Sequence, residues 1–358
     1  MKNMKGYLLP ESVSEIQQLV VQARKEKKTL RVIGAGHSFP ESQYPHGKQD
    51  TDVVLLMLSY LFKVQINVEQ KLVTVEAGCH LGYDPNDPTQ LSTLQNSLFF
   101  QLDQAGLAVP DMGGITHQTV GGFLSTGSSG GSTQYGFGEC LRSITFIPAD
   151  SDSPQPVTLQ YSDDADNPFF AAGIAMGLFG IIVSATFSLV ERFNITGSEV
   201  TSTIADSEVD LFGSGGLKPS LQQFLETTSY SRIMWWPQPR GNRLVVWKAR
   251  QLKANEPFLR NPYQEFGNDP ADILQILAGI LYKIIGRWPE ALSIFNLPSN
   301  DYNFIKNWVE SNFYSGILPL ILDKFQSFGT KQFQDFWYTG LPMDNEVSDR
   351  YFPVVFTE

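Results

Sequence analysis

Three segments of this chain combine residue types that could handle an anionic ligand. The first runs from Thr29 to Phe39. A strand-like apolar run, Thr29 to Ile33, feeds the turn Gly34-Ala35-Gly36, and His37 and Ser38 follow directly. The two glycines let the backbone bend where a side chain would clash, leaving N–H groups to face an anion with an imidazole just beyond. The second segment, Pro110 to Ser132, holds Gly113, Gly114, Gly121, Gly122, Gly127, Gly130 and Gly131, interleaved with Thr116, Thr119, Ser125, Thr126, Ser128, Ser129 and Ser132. A packed core does not use that composition, whereas a backbone that must approach a large polar ligand does. A flexible linker is the competing reading, but Val120, Phe123 and Leu124 in the middle argue against it. The third segment, Asn167 to Val190, reads as a short small-residue helix running toward Gly180, then a β-rich strand.

Each segment alone is also compatible with an ordinary turn, loop or buried corner. Their order resembles the PCMH-type FAD-binding domain of the vanillyl-alcohol-oxidase superfamily, with the sugar-lactone and alditol oxidases (D-arabinono-1,4-lactone oxidase-like) as the nearest likeness. The resemblance is close over about the first 190 residues and loose beyond. It implies FAD, with the pyrophosphate held by Gly34, Ala35 and Gly36 and the flavin carried covalently by His37. It implies hydroxyl donors at Ser38, Thr119, Ser125, Thr126 and Ser128, a wrapping loop through Gly113, Gly121 and Gly122, and backbone contacts from Ile181 and Ile182. Two departures stand out. Ser129 occupies the place where the family often has His, and His117 the place where bicovalent relatives have Cys, so a second, cysteinyl tether is not expected.

The implied reaction is oxidation of C–OH to C=O with hydride transfer to flavin N5, on a polyol or lactone substrate. No catalytic base is assigned. An oxidase of a phenolic or sterol alcohol, and a non-catalytic flavin-binding fragment, remain as alternatives.

Composition narrows the partners. Lys plus Arg number 26 against 37 for Asp plus Glu, a formal net charge of -11, which disfavours nucleic acid because phosphates are repelled. Cys79 and Cys140 are the two cysteines, too sparse for a disulfide framework, and a reducing, cytoplasmic location is the default expectation. The start, Met1 to Gly6, lacks the apolar run of a secretory signal. The apolar stretch 271–285 carries Asp272, Gln275 and Lys283 and is short for a membrane span. It reads as a buried amphipathic helix, with a membrane-associating face as the alternative. No metal site is expected: His80 has no further ligands near it in sequence, and His46 reads as solvated.

The elements that must position these residues mix without strict β-α-β alternation, which predicts an α+β fold. Glu11–Lys25 reads as an amphipathic helix capped by Ser12 or Ser14. Strand-like runs fall at 53–58, 62–67 and 72–77, the last two a hairpin around Glu69-Gln70-Lys71. A helix is predicted over 91–105 and a strand over 140–148. All six tryptophans lie after residue 190, so residues 1–190 read as the two-subdomain FAD-binding domain and 191–358 as a substrate or cap domain of antiparallel sheet plus helices. There, 230–249 reads as two strands and 304–326 as a helix. The aromatic density suits a ring- or sugar-binding wall and equally an ordinary core. The final run, Tyr351 to Glu358, reads as a strand cut short, so the cap is expected to be C-terminally incomplete.

Overall fold

The computed structural model describes residues 2–4, 6–38, 52–236, 242–263, 320, 323 and 327–342. The readings made for 271–285, for most of 304–326, for His46 and for 351–358 lie outside these residues, as does most of the turn between the strands of 230–249.

The chain opens with a small sheet of β1 (Lys2–Met4), β2 (Tyr7–Leu9), β3 (Thr29–Val32) and β4 (Val53–Leu56), ordered β1-β2-β4-β3. β4 runs parallel to both β2 and β3. Helix α1 (Val13–Glu26) connects β2 to β3. Ser12 is its N-cap, accepting from the Glu15 amide at 3.2 Å, and the helix ends where Lys27 turns left-handed at φ 57°. Ile16, Leu19, Val20 and Ala23 are buried, and the first three pack with Leu56, Ile147, Ile181 and Val183, as the sequence spacing requires.

The second sheet is antiparallel, in the order β5 (Val64–Asn67), β6 (Leu72–Glu76), β10 (Gly180–Ser188), β8 (Leu141–Pro148), β9 (Val157–Gln160). The β5–β6 hairpin turns with Lys71 at φ 50°. Between β6 and β8 lie α2 (Leu98–Gln104), β7 (Leu107–Ala108), α3 (Val120–Thr126) and α4 (Phe137–Cys140). The helix expected over 91–105 is thus confined to its second half. Asp87 explains the rest. Its carboxylate accepts from the amides of Thr89, Leu91 and Ser92, and the Asn96 side chain accepts from the Thr93 amide. Such side-chain acceptors hold the backbone in turns and compete with the helix. Next come α5 (Pro168–Ala172), capped by Asn167, and β11 (Val190–Glu191), which pairs with β7.

A third large sheet follows: β12 (Asn194–Ser202), β13 (Tyr230–Trp236), β14 (Arg243–Gln251) and β15 (Gly329–Phe336), all antiparallel and ordered β13-β14-β12-β15. Helix α6 (Leu221–Thr227) precedes β13, and α7 (Trp337–Gly340) ends the described chain's elements. One apolar cluster joins this sheet to the first part, running from Val73, Phe99 and Phe187 through Tyr230 and Trp247 to Trp337. Trp337 is fully buried; its ring sits edge-on to Phe99, and its Nε1 donates to Asp103 at 3.2 Å. The architecture is α+β. No helix of the described residues is long and apolar enough to cross a membrane.

Candidate functional site

The three glycine-rich segments meet at one cleft. Its wall on the β3 side is the turn that ends the first sheet. The last β3-side amide in the ladder, Ile33, donates to Leu56 at 2.8 Å, and the chain then swings through Gly36 at φ +79°. That left-handed value is one glycine adopts without strain. Gly34, Ala35, Gly36, His37 and Ser38 all line the cleft.

Helix α3 forms the facing wall, presenting Thr119, Gly121, Gly122, Ser125 and Thr126. Thr119 is its N-cap, accepting from the Gly122 amide at 3.2 Å. The two walls touch where a Cβ on Gly34 would stand 2.5 Å from Thr119 Oγ1, so only glycine lets β3 pass. Gly121 packs on Ala77, with a Cβ there 3.1 Å from the Ala77 Cβ and carbonyl oxygen, and its amide donates to Ala77 at 2.8 Å. The Val120 amide donates to Cys79 at 2.8 Å. Ser125 and Thr126 donate back into the helix, to the Gly121 and Gly122 carbonyls at 2.7 and 3.1 Å. With those protons engaged, either hydroxyl can only accept from a ligand until it rotates. The floor comes from the β10 end, where Gly180, Ile181 and Ile182 join Met176 and Gly177.

Of the residues singled out in the sequence, Gly113 and Ser128 do not line this cleft. Gly113 lies behind α3, where a Cβ would stand 2.9 Å from the Phe123 ring. Ser128 accepts from the Gln118 side chain at 3.1 Å and lies 3.3 Å from the Thr126 hydroxyl, a second layer behind the wall. Conversely, the cleft is also lined by Gly78, His80, Asp84, Asp87 and Gln118, which sequence reasoning did not assign. The available signal was the Gly78-Cys79-His80-Leu81-Gly82 run. A Cβ on Gly78 would lie 1.9 Å from the Leu58 carbonyl and one on Gly82 2.6 Å from Thr116 Oγ1, so both glycines mark close approaches.

Electrostatics at this end of the cleft centre on three histidines and one acid. His80 Nε2 lies 3.4 Å from Asp84 Oδ2, and Asp84 is buried. Burial raises the Asp84 pKa, but the His80 bond and the Asn86 amide outweigh it and hold the carboxyl below its usual range. The His37 and His117 rings are 6.0 Å apart. Burial lowers both pKa values, that of His117 to about 4, with the neighbouring histidines adding to the effect and Asp84 opposing it. Both imidazoles are thus neutral at pH 7. Among the described residues no cluster of His, Cys, Asp and Glu has a metal-holding arrangement.

Residues 4–83 match the family described as FAD binding domain. Together with the fold, this gives the class that the chain resembles: an α+β protein whose residues 4–83 are similar to a FAD-binding domain. Over 67% of its length it is 27% identical to the L-gulonolactone oxidase of Mus musculus, covering 47% of that protein. Over 68% it is 29% identical to the D-arabinono-1,4-lactone oxidase of Saccharomyces cerevisiae, covering 41%. The chain therefore spans less than half the length of these relatives. Among solved structures, cholesterol oxidase from B. sterolicum superposes with a TM-score of 0.62 over 94% of this chain and 58% of its own, at 13% identity. That likeness concerns the fold alone.

The cleft fits FAD. Gly34, Ala35 and Gly36 line its edge, and the left-handed turn at Gly36 leaves it without side-chain bulk there, as the approach of a phosphate-bearing ligand requires.

Proposed function

We propose that the chain is the flavin-holding part of an oxidoreductase that oxidises a C–OH group of a sugar-derived lactone or polyol. The observation that carries the reading is the convergence of the β3 turn, α3 and the start of β10 on one cleft, within a chain whose relatives are named lactone oxidases. When bound, FAD supplies the hydride acceptor. The residues of this chain bind and orient it. Gly34, Ala35 and Gly36 bring backbone amides to the phosphates, with the Ser38 and Thr119 hydroxyls beside them. Ile181 and Ile182 close the floor. Ser128 acts from behind by bonding the Gln118 side chain, and Gly113 leaves room there for the Phe123 ring.

His37 is the proposed covalent tether. Its suppressed basicity supports this role, because only an unprotonated imidazole has the lone pair that a C–N bond requires. The His80–Asp84 pair fixes a second imidazole at the same cleft, held through Nε2. Residues 1–190 serve as the cofactor domain in this reading, and the β12–β15 sheet supplies one wall for substrate.

The test is the absorption spectrum of the purified protein before and after acid precipitation. A flavin band that stays with the precipitated polypeptide supports both binding and tether. Flavin that leaves with the acid supports binding alone, and a colourless protein that ignores added FAD overturns the reading.

A further inference from the structure

Two methionines line the flavin cleft, Met57 and Met176, and they differ in access. Met57, just after β4, is 7% exposed, whereas Met176, in the strap of residues 173–179 between α5 and β10, is 56% exposed. Met112 is buried, and Met4 and Met234 are half-buried. Among the described residues, Met176 is therefore the one methionine more than half open to solvent, and it stands at the edge of the cleft.

Its backbone is also set apart. Met176 lies in the left-handed region at φ +47°, followed by Gly177 at +83° and, where β10 begins, Gly180 at +135°. Glycine adopts such angles freely, whereas a residue with a Cβ is strained by them. A glycine at position 176 would make the same turn without that strain. A side chain retained in a strained conformation at the edge of a site points to a use for the side chain itself. The strap is tied to α3 at this residue, because the Met176 amide donates to the Ser125 carbonyl at 3.2 Å. Beside it, Ile174 closes over Gly127, the C-cap of α3, where an added Cβ would stand 3.0 Å from the Ile174 side chain. Ser125 itself lines the cleft, so the tie joins two of its walls.

An accessible thioether has one characteristic reaction in water near neutral pH. Its sulfur lone pair attacks a peroxide oxygen, the S–O bond forms as the O–O bond breaks, and the peroxide leaves as water. Sulfur is oxidised by two electrons, and a flexible apolar side chain becomes a polar one. We propose that Met176 is a peroxide-responsive modification site, whose oxidation to the sulfoxide releases the strap from α3 at the edge of the flavin cleft. The sulfoxide is drawn outward to water, the left-handed backbone relaxes, and the bond to the Ser125 carbonyl is the first one lost. Two-electron reduction of dioxygen at a flavin yields hydrogen peroxide. The proposal rests on the oxidoreductase reading above only for that source of peroxide, and the reactivity of the site does not depend on it.

The experiment treats the purified full chain, with whatever flavin it carries, with graded low concentrations of hydrogen peroxide. Peptide mass spectrometry reads the oxygen added to each methionine. Met176 is expected to oxidise about tenfold faster than Met57 and Met112. In the oxidised protein, hydrogen exchange at the Met176 amide is expected to speed up and the melting temperature to fall. Met176→Leu keeps the bulk without the sulfur, and is expected to keep its melting temperature under the same treatment. Met176→Gly, which takes the turn without strain, is expected to be equally insensitive. Oxidation of Met176 no faster than that of Met57 overturns the proposal, as does an oxidised Met176 whose amide exchanges at the original rate. A loss of melting temperature in Met176→Leu equal to that of the wild type overturns it too. Should either variant fail to fold, the wild-type oxidation and exchange rates still decide the question. Flavin absorbance on the same samples separates the two readings. Selective oxidation of Met176 in a protein that binds no flavin sinks only the flavin reading, and unselective oxidation in a flavin-replete protein sinks only this one.

Discussion

On the β3 side of the cleft, backbone leaves its ladder after Ile33 and turns through Gly36 at φ +79°. On the α3 side, the amides of Val120, Gly121 and Gly122 are bonded within the protein, to Cys79, Ala77 and Thr119. Both stretches read alike in the sequence, as glycines mixed with hydroxyl residues. In space they use glycine differently. At Gly36 the first wall uses it for a left-handed turn at the edge of the cleft, and at Gly121 the second uses it to press a helix onto the end of β6. Glycine density therefore marks where backbone must come close to something, without saying whether that is cofactor or protein.

Four experiments test this contrast. The largest effect is expected from His37→Ala, on the first wall. Acid-stable flavin should fall from full retention to none, while the melting temperature of the flavin-free protein changes little. Retained flavin after acid treatment would place the tether elsewhere.

The second concerns His117, fully buried behind the other wall. Its pKa falls from 6.5 to about 4 on folding, so the unfolded chain binds the extra proton between those values. Its contribution to stability is whole above pH 6.5 and is lost as pH falls toward 4, about 3 kcal/mol in all. Urea midpoints measured from pH 7 to 4 should drop, and His117→Gln should flatten that limb. An unchanged slope in the variant would assign the acid sensitivity to other groups.

Third, Gly121→Val and Gly36→Ala should separate the two uses of glycine. The first drives a branched side chain into Ala77 and should cost about 1–3 kcal/mol whether or not flavin is present. The second imposes a left-handed backbone on alanine, about 1–2 kcal/mol, and should reduce flavin content more than the melting temperature suggests. Equal loss of flavin per degree of melting in both variants would erase the distinction. The smallest effect is expected from Thr119→Val, which removes the N-cap of α3 for about 1 kcal/mol. Denaturant unfolding reads it directly, and no change would mean that the Gly122 amide finds another acceptor.

Much of the scaffold was legible in the sequence because its signals are local. The stripe Val13, Ile16, Leu19 and Val20 marked α1, although Ala23 rather than Val13 joins the buried face, and the polar break Glu69-Gln70-Lys71 marked the β5–β6 hairpin. The β3 turn with His37 was legible for the same reason. What was hidden depends on partners distant in the chain. Asp87 replaced the first half of a predicted helix by bonding its own neighbours, an outcome that a hydrophobic pattern does not encode. His80, Asp84 and Gln118 reach the cleft because the chain at His80 bridges to Thr119, a pairing 39 residues long that no window on the sequence contains. Gly113 and Ser128 erred the other way. They share the composition of the lining residues, but face Phe123 and Gln118.

The third sheet has a consequence for how the chain is made. β12 pairs with β15 in a register that sets Asn194 against Phe336, so one edge of β12 emerges from the ribosome about 140 residues before its partner. At the roughly 5–20 residues per second of translation, that edge waits about 7–30 seconds with its N–H and C=O groups unpaired, while β14 covers the other side sooner. Such an edge is a template for pairing with another nascent chain. Slower synthesis lengthens that wait. The yield of native protein should therefore fall when translation through the stretch between β14 and β15 is slowed, at unchanged thermodynamic stability.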